Sequence, residues 1–365
     1  MGKKLFDFAI GNPPYQEEQI STDTDSSQKN YAPPVYNFFM DAANTVASKV
    51  ELIHPARFLF DAGSTPKAWN EKMLNDKHFK VLRYEENSDL IFPALSSPLK
   101  GGVAITYRDD AKEFGAIKVY TKFSELNSIL HKVTDSNTFV SFSNIVYSRT
   151  EYRLTDKMHS DHPEARYVEN EKHEQISGLL SKGHDYDMAS NIFERIPAIF
   201  SDVQPTDGND YISVMGRSGS KRITKYIRRE YVNTTANLDS YKLFVPQANG
   251  AGNFGEVNTM PVVAFPGTAH TETFISIGKF ASNDECEAGR RYICTKFLRT
   301  LLGVLKVTQN GNKPVWRLIP LQDFTSSSDI DWSKSVHEID LQLYKKYGLS
   351  DEEISFIETN VKEMA

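Results

Sequence analysis

The stretch Phe6-Asp7-Phe8-Ala9-Ile10-Gly11-Asn12-Pro13-Pro14-Tyr15-Gln16 begins apolar and ends in a turn. From residue 5 to residue 10 only Asp7 interrupts the apolar run, which reads as a buried strand, and Gly11 with two prolines stops it sharply. Residues 16–30 are polar and read as a loop. Pro33 or Pro34 then opens a helix running to Ala47, with Tyr36, Phe39, Met40 and Ala43 at helical spacing. A strand at 50–53 ended by His54-Pro55, a helix at 66–75 and strands at 79–84 and 102–107 complete an alternating α/β pattern. This is the latter part of a sheet domain.

After Arg108 the pattern shifts to short strands and polar connections, which places a boundary within 108–125 and divides the chain into domains at 1–115 and 116–365. The second domain reads as α+β, with strands at 211–215, 242–246, 262–265 and 273–277 and helices at 169–180, 284–305 and 351–362. Ser350 is the N-cap of that last, C-terminal tail helix.

The 365 residues are 39% hydrophobic and 25% charged, within the range of globular proteins, and no apolar run reaches membrane-spanning length. The N-terminus lacks the features of a signal peptide, so a cytoplasmic location is expected. Cys286 and Cys294 have no partners at metal-ligand spacing, so neither a disulfide framework nor a metal site is expected. The net charge of -6 comes largely from residues 328–365, which carry nine acidic and four basic side chains. The remainder is near neutral, leaving room for a local DNA-binding surface.

Asn12-Pro13-Pro14-Tyr15 alone would be a turn, but it follows an apolar strand, at the end where α/β ligand sites cluster. In that setting it resembles the catalytic motif of the amino-methylating DNA methyltransferases, in its adenine form. The chemistry accounts for the residue types. The N6 amine of adenine is a poor nucleophile because its lone pair is delocalised into the ring. The resemblance implies that the Asn12 side-chain oxygen and the Pro13 carbonyl, held rigid by Pro14, accept the two N6 hydrogens. Tyr15 would stack on a base flipped out of the duplex.

Segments 31–40, 53–59, 100–107, 242–255 and 308–324 are similar to parts of the type II restriction-modification N6-adenine methylases with a C-terminal target-recognition domain. The resemblance implies a partial Rossmann-like methyltransferase sheet followed by an α+β target-recognition domain, with S-adenosylmethionine as cofactor and double-stranded DNA as partner. Those enzymes bind the donor through a Phe-x-Gly-x-Gly-like turn upstream of the motif. Here eleven residues precede Asn12, and the glycines at 250–252 and 216–219 read as ordinary loops. A fragment, a split subunit whose second chain supplies the cofactor motif, and an inactive DNA-recognition relative all remain open. So does a methylase-derived partner of protein or RNA.

Between residues 216 and 231 lie Arg217, Lys221, Arg222, Lys225, Arg228 and Arg229, interleaved with Tyr226 and Tyr231 and opposed only by Glu230. That composition suits DNA, with Arg able to read guanine or hold phosphate and Lys mainly holding phosphate. His54, His159 and His162 read as surface or structural residues, and Glu85-Glu86 as a solvated turn rather than a nuclease centre.

Overall fold

The computed structural model describes residues 4–16, 33–93, 99 and 101–364. Apart from Gln16, the loop expected at 16–30 lies outside the described residues, as do 31, 32 and 100 of the segments quoted above. The fold is mixed α/β with several small sheets, and the chain divides into two compact units, Met1–Asn127 and Ser128–Ala365.

In the first unit β1 (Phe6–Gly11) and β2 (Ala47–Pro55) run parallel, joined through the crossover helix α1 (Tyr36–Val46). Helix α2 (Lys67–Asn75) precedes β3 (Phe79–Glu85). The last strand, β4 (Val103–Asp109), inserts antiparallel between β2 and β3, giving the order β1-β2-β4-β3. Cross-strand partners share a face of a sheet. Val50 and Leu52 turn toward the side on which both helices pack, where Tyr36, Met40, Trp69, Met73 and Leu74 close a core with Phe58, Leu59 and Phe79.

The expected strand at the start of the chain forms, but it is not buried. Phe6, Phe8 and Ile10 are 58%, 60% and 78% exposed and alternate onto the sheet face away from α1 and α2. Among the described residues no strand pairs with the outer edge of β1. Burial of an apolar strand needs a neighbour on each edge and a layer on each face. β1 has one of each.

The second unit begins in α3 (Ser124–Thr134) and continues through β5 (Val146–Tyr147), α4 (Asp156–Asp161), β6 (Val168–Glu169), β7 (Gln175–Ser177) and α5 (Ile192–Arg195). Next come β8 (Tyr211–Ser218), β9 (Lys221–Arg228), β10 (Tyr241–Pro246), β11 (Val262–Ala264), β12 (Thr268–His270) and β13 (Phe274–Phe280). Helices α6 (Asn283–Cys294), α7 (Lys296–Leu305), α8 (Val336–Lys346) and α9 (Asp351–Asn360) close the chain. The main sheet has the order β11-β10-β13-β5, and β12-β8-β9 forms a smaller one. Leu243, Val245, Ile275 and Ile277 join a core with α6 to α9, while Phe244 and Phe274, on the opposite face, join a second core around β8 and β9. Alternation thus buries both sides of β10 and β13.

Three further expectations are corrected. The helix expected at 169–180 is instead the pair β6 and β7, because the Asn170 side chain accepts from the Lys172 and Glu174 amides and turns the chain. The helix expected at 284–305 is broken at Thr295, whose extended backbone and side-chain cap on Leu298 start α7 afresh. Gly216 lies inside β8 rather than in a loop, where an added Cβ would meet Phe193 at 2.6 Å and Thr271 at 2.8 Å.

Candidate target-base turn and basic ribbon

Asn12-Pro13-Pro14-Tyr15 leaves β1 at the C-terminal end of the parallel pair, where Gly11 lies beside Leu52 of β2. Two contacts tie its far side to the approach of α1: the Val35 amide donates to the Tyr15 carbonyl at 3.2 Å, and Gln16 bridges to Pro34. The turn is therefore held at both ends while Asn12 and Pro14 remain exposed. Pro13 and Tyr15 are half-buried. Tyr15 packs edge-on against Phe92, with ring centroids 6.4 Å apart, a partner that nothing in the sequence singled out. Its hydroxyl is buried with no hydrogen-bond partner among the described residues, and desolvation pushes it up to about 12. The ring stays an uncharged phenol at neutral pH.

His54, near the end of β2, lies in the same unit but belongs to its core. Burial lowers its ring to about 4, so it is neutral. A carbonyl can only accept, so Nδ1–H donates to Pro55 O at 3.1 Å and Nε2 accepts from Thr106 Oγ1 at 2.8 Å. The ring also stacks on Tyr36 at 5.8 Å, a structural role. In the Glu85-Glu86 turn, Glu85 pairs with Arg83 and Glu86 with Lys122.

In the second unit most of the basic segment lies in a β-ribbon. β8 and β9 pair antiparallel from Tyr211↔Arg228 to Ser218↔Lys221, leaving Gly219 and Ser220 as a tight loop with Gly219 at φ 57°. Glycine adopts that φ at no steric cost, and the Ser-Gly-Ser turn was the sequence signal that could have revealed the hairpin. Register puts Tyr211, Arg217, Arg222, Thr224, Tyr226 and Arg228 on one face and Lys221 and Lys225 on the other.

The six candidate cations are not equivalent. Lys225 pairs with Asp202, Arg229 with Asp239 and with Asp210, and Arg228 with Glu230 at 3.7 Å. Arg228 also lies over the Tyr231 ring, and Arg222 lies 5.4 Å from the centre of the Phe274 ring. Arg217 and Lys221, both exposed at the tip, make no ion pair among the described residues. His159 is on α4, with Nε2 2.8 Å from Asp185 O, and His162 pairs with Glu164. Cys286 and Cys294 are buried free thiols.

The glycines at 250–252 surround a carboxylate of the protein itself. The Ala251 and Gly252 amides donate to Glu256 at 2.8 and 2.9 Å, and Lys306 closes on the same group at 3.0 Å. Burial alone would raise this carboxyl, but those donors together outweigh it and hold it at about 2.

Residues 1–92 match the family model described as the Eco57I restriction-modification methylase. The segment bearing β1 to β3 and the Asn-Pro-Pro-Tyr turn is thereby related to restriction-modification methylases. No curated protein matches the chain. Among solved structures, the type IIG restriction endonuclease BpuSI aligns over 97% of this chain and 53% of its own, with 9% identity and a TM-score of 0.30. The chain spans about half the length of that enzyme.

Proposed function

We propose that the chain is the target-recognising and adenine-positioning component of a DNA N6-adenine methyltransferase in a restriction-modification system. One observation carries the reading: Asn12 is exposed on a turn held at both ends, at the C-terminal end of a parallel strand pair, within the segment that matches the methylase model. A flipped adenine there would give its N6 hydrogens to the Asn12 oxygen and the Pro13 carbonyl, while the uncharged Tyr15 ring stacks on the base. Holding N6 in this way raises its nucleophilicity and fixes its line of approach. In this reading residues 1–115 are part of a Rossmann-like catalytic domain and 116–365 recognise DNA, with the β8–β9 ribbon tip meeting the duplex. A two-stranded ribbon fits the major groove. Arg217, Lys221 and Arg222 lead, and Lys225, Arg228 and Arg229 support the ribbon from its base.

The methyl group would come from S-adenosylmethionine, which presents it on a positively charged sulfur. Neither glycine segment considered for that donor is open to it. Glu256 fills the glycine turn at 250–252, and Gly216 and Gly219 belong to a hairpin. This favours a second reading in which the chain by itself recognises DNA without transferring a methyl group.

The test selects bound duplexes from a randomised pool and then replaces each adenine in turn by the fluorescent base 2-aminopurine. One position should change emission on binding, and Tyr15→Ala, which removes the stacking ring, should abolish the change without abolishing binding. If no position responds in a saturated complex, the proposed adenine site is wrong.

A further inference from the structure

The ribbon tip shares its end of the second unit with two loops. β8 and β12 run parallel and end side by side, where the Thr271 amide donates to Met215 O at 2.9 Å. From the tip, contacts lead outward in short steps. The Arg222 guanidinium lies 5.4 Å from the centre of the Phe274 ring, Phe274 pairs with Pro246, and the Gln247 amide donates to Thr273 O at 2.9 Å. Gln247 opens a two-stranded corner with residues 309–311. The Asn249 amide donates to Gln309 O at 2.8 Å and the Gly311 amide to Gln247 O at 2.9 Å, on either side of the Ala248↔Asn310 bridge. The buried Trp316 ring donates from Nε1 to Gly311 O at 3.0 Å, and a Cβ added at Gly252 would lie 2.4 Å from Thr308 N, so the two backbones are held closely together. Composition sets the corner apart: in a chain with 48 acidic residues, neither 245–255 nor 307–317 contains one. Gln309, Asn310 and Asn312 are exposed, and the side chains of Gln309 and Asn310 have no hydrogen-bond partner among the described residues. Gln247 Nε2 donates to Asn312 Oδ1, which leaves Asn312 Nδ2 a donor without a described partner.

We infer that Gln309, Asn310 and Asn312 form a second DNA contact beside the ribbon tip and read the edge of an adenine in the major groove. This rests on the reading of the chain as a duplex binder. The two contacts differ in chemistry. A phosphate asks for positive charge and donors, which Arg217 and Lys221 supply at the tip. A carboxamide brings no charge to a phosphate, but it donates and accepts in one plane and so matches both the N6 hydrogen and N7 of adenine. The lack of carboxylates in both loops lets these side chains approach the duplex without repulsion. Because the backbone is fixed beforehand, only side-chain rotamers remain to be ordered on binding.

The probe is the duplex selected by the full chain, with each adenine replaced in turn by 7-deazaadenine, which keeps N6 and base pairing but lacks N7. At one position, other than the one that answers to 2-aminopurine, the replacement should weaken binding ~10-fold, the scale of one bidentate contact between a carboxamide and adenine. In at least one of the variants Gln309→Ala, Asn310→Ala and Asn312→Ala the same replacement should cost nothing further, and that variant should accept other base pairs at that position alone. Its salt slope should equal that of the unaltered chain, because an uncharged side chain releases no counterion, and its melting temperature should not move. A flat 7-deazaadenine series, or three variants as sensitive to the replacement as the unaltered chain, would overturn the inference. A lowered salt slope would overturn it too, by showing a phosphate contact. If the chain binds no duplex at all, the reading beneath the inference fails with it. If duplex binding and the 2-aminopurine response persist while the 7-deazaadenine series is flat, only the second contact is wrong.

Discussion

β1 and β10 carry similar apolar sequences and meet opposite fates. In β10, Leu243 and Val245 enter one core and Phe244 another, and the strand lies between β11 and β13. In β1, Phe6, Phe8 and Ile10 point into solvent and one edge has no strand partner among the described residues. An apolar run therefore states a requirement for burial, and the rest of the fold decides whether the chain itself meets it. Polar groups show the same contrast. Glu256 has three donors in the second unit, whereas the buried Tyr15 hydroxyl in the first has none among the described residues.

The largest expected effect tests the strands directly. Phe244→Ala should cost ~3–5 kcal/mol of unfolding free energy in urea titrations, the loss of a fully buried aromatic side chain plus its cavity. Phe8→Ala in the chain by itself should stay within about 0.5 kcal/mol, as for an exposed position. A cost above ~1 kcal/mol at Phe8 would show that β1 is already covered and break the comparison.

Next comes acid. The Glu256 carboxyl is held at about 2, against 4.5 for an ordinary one, so the unfolded chain takes up its proton first as pH falls. The stability it contributes is fully present above 4.5 and is lost as pH falls through about 2. Thermal melts across that window should drop less steeply for Glu256→Gln, which starts less stable at neutral pH. Equal slopes would show that the carboxylate is not tied to folding.

The ribbon should separate into a binding tip and a structural base. Replacing Arg217 and Lys221 together by Ala should weaken duplex binding ~10-fold and lower the salt slope by up to about 2, with melting unchanged. Lys225→Ala and Arg229→Ala should change stability by up to ~1 kcal/mol through lost surface ion pairs, and affinity less. Equal affinity losses at tip and base would erase the distinction.

The smallest effect is expected from Tyr15→Phe. Removing a buried hydroxyl without a described partner should leave stability unchanged or raise it by up to ~1 kcal/mol, and the 2-aminopurine response should survive because the ring remains. Loss of that response would mean that the hydroxyl, not the ring face, contacts the base.

The features legible in the sequence are those determined over a few neighbouring residues. Gly11 and the two prolines end β1 and form the turn wherever the strand lies, the Ser350 hydroxyl caps α9 through the Glu353 amide, and Gly219 allows the hairpin loop. The Asn-Pro-Pro-Tyr turn was readable for the same reason, since its path depends on four consecutive residues. Only the tertiary structure decided that β4 inserts between β2 and β3, that Phe92 meets Tyr15, and that Asp202 and Asp239 occupy Lys225 and Arg229 while Arg217 makes no ion pair among the described residues. It also decided that Phe6, Phe8 and Ile10 of β1 stay exposed. Periodicity and composition describe what a segment offers, but burial and ion pairing depend on partners distant in the chain, whose approach no local pattern encodes.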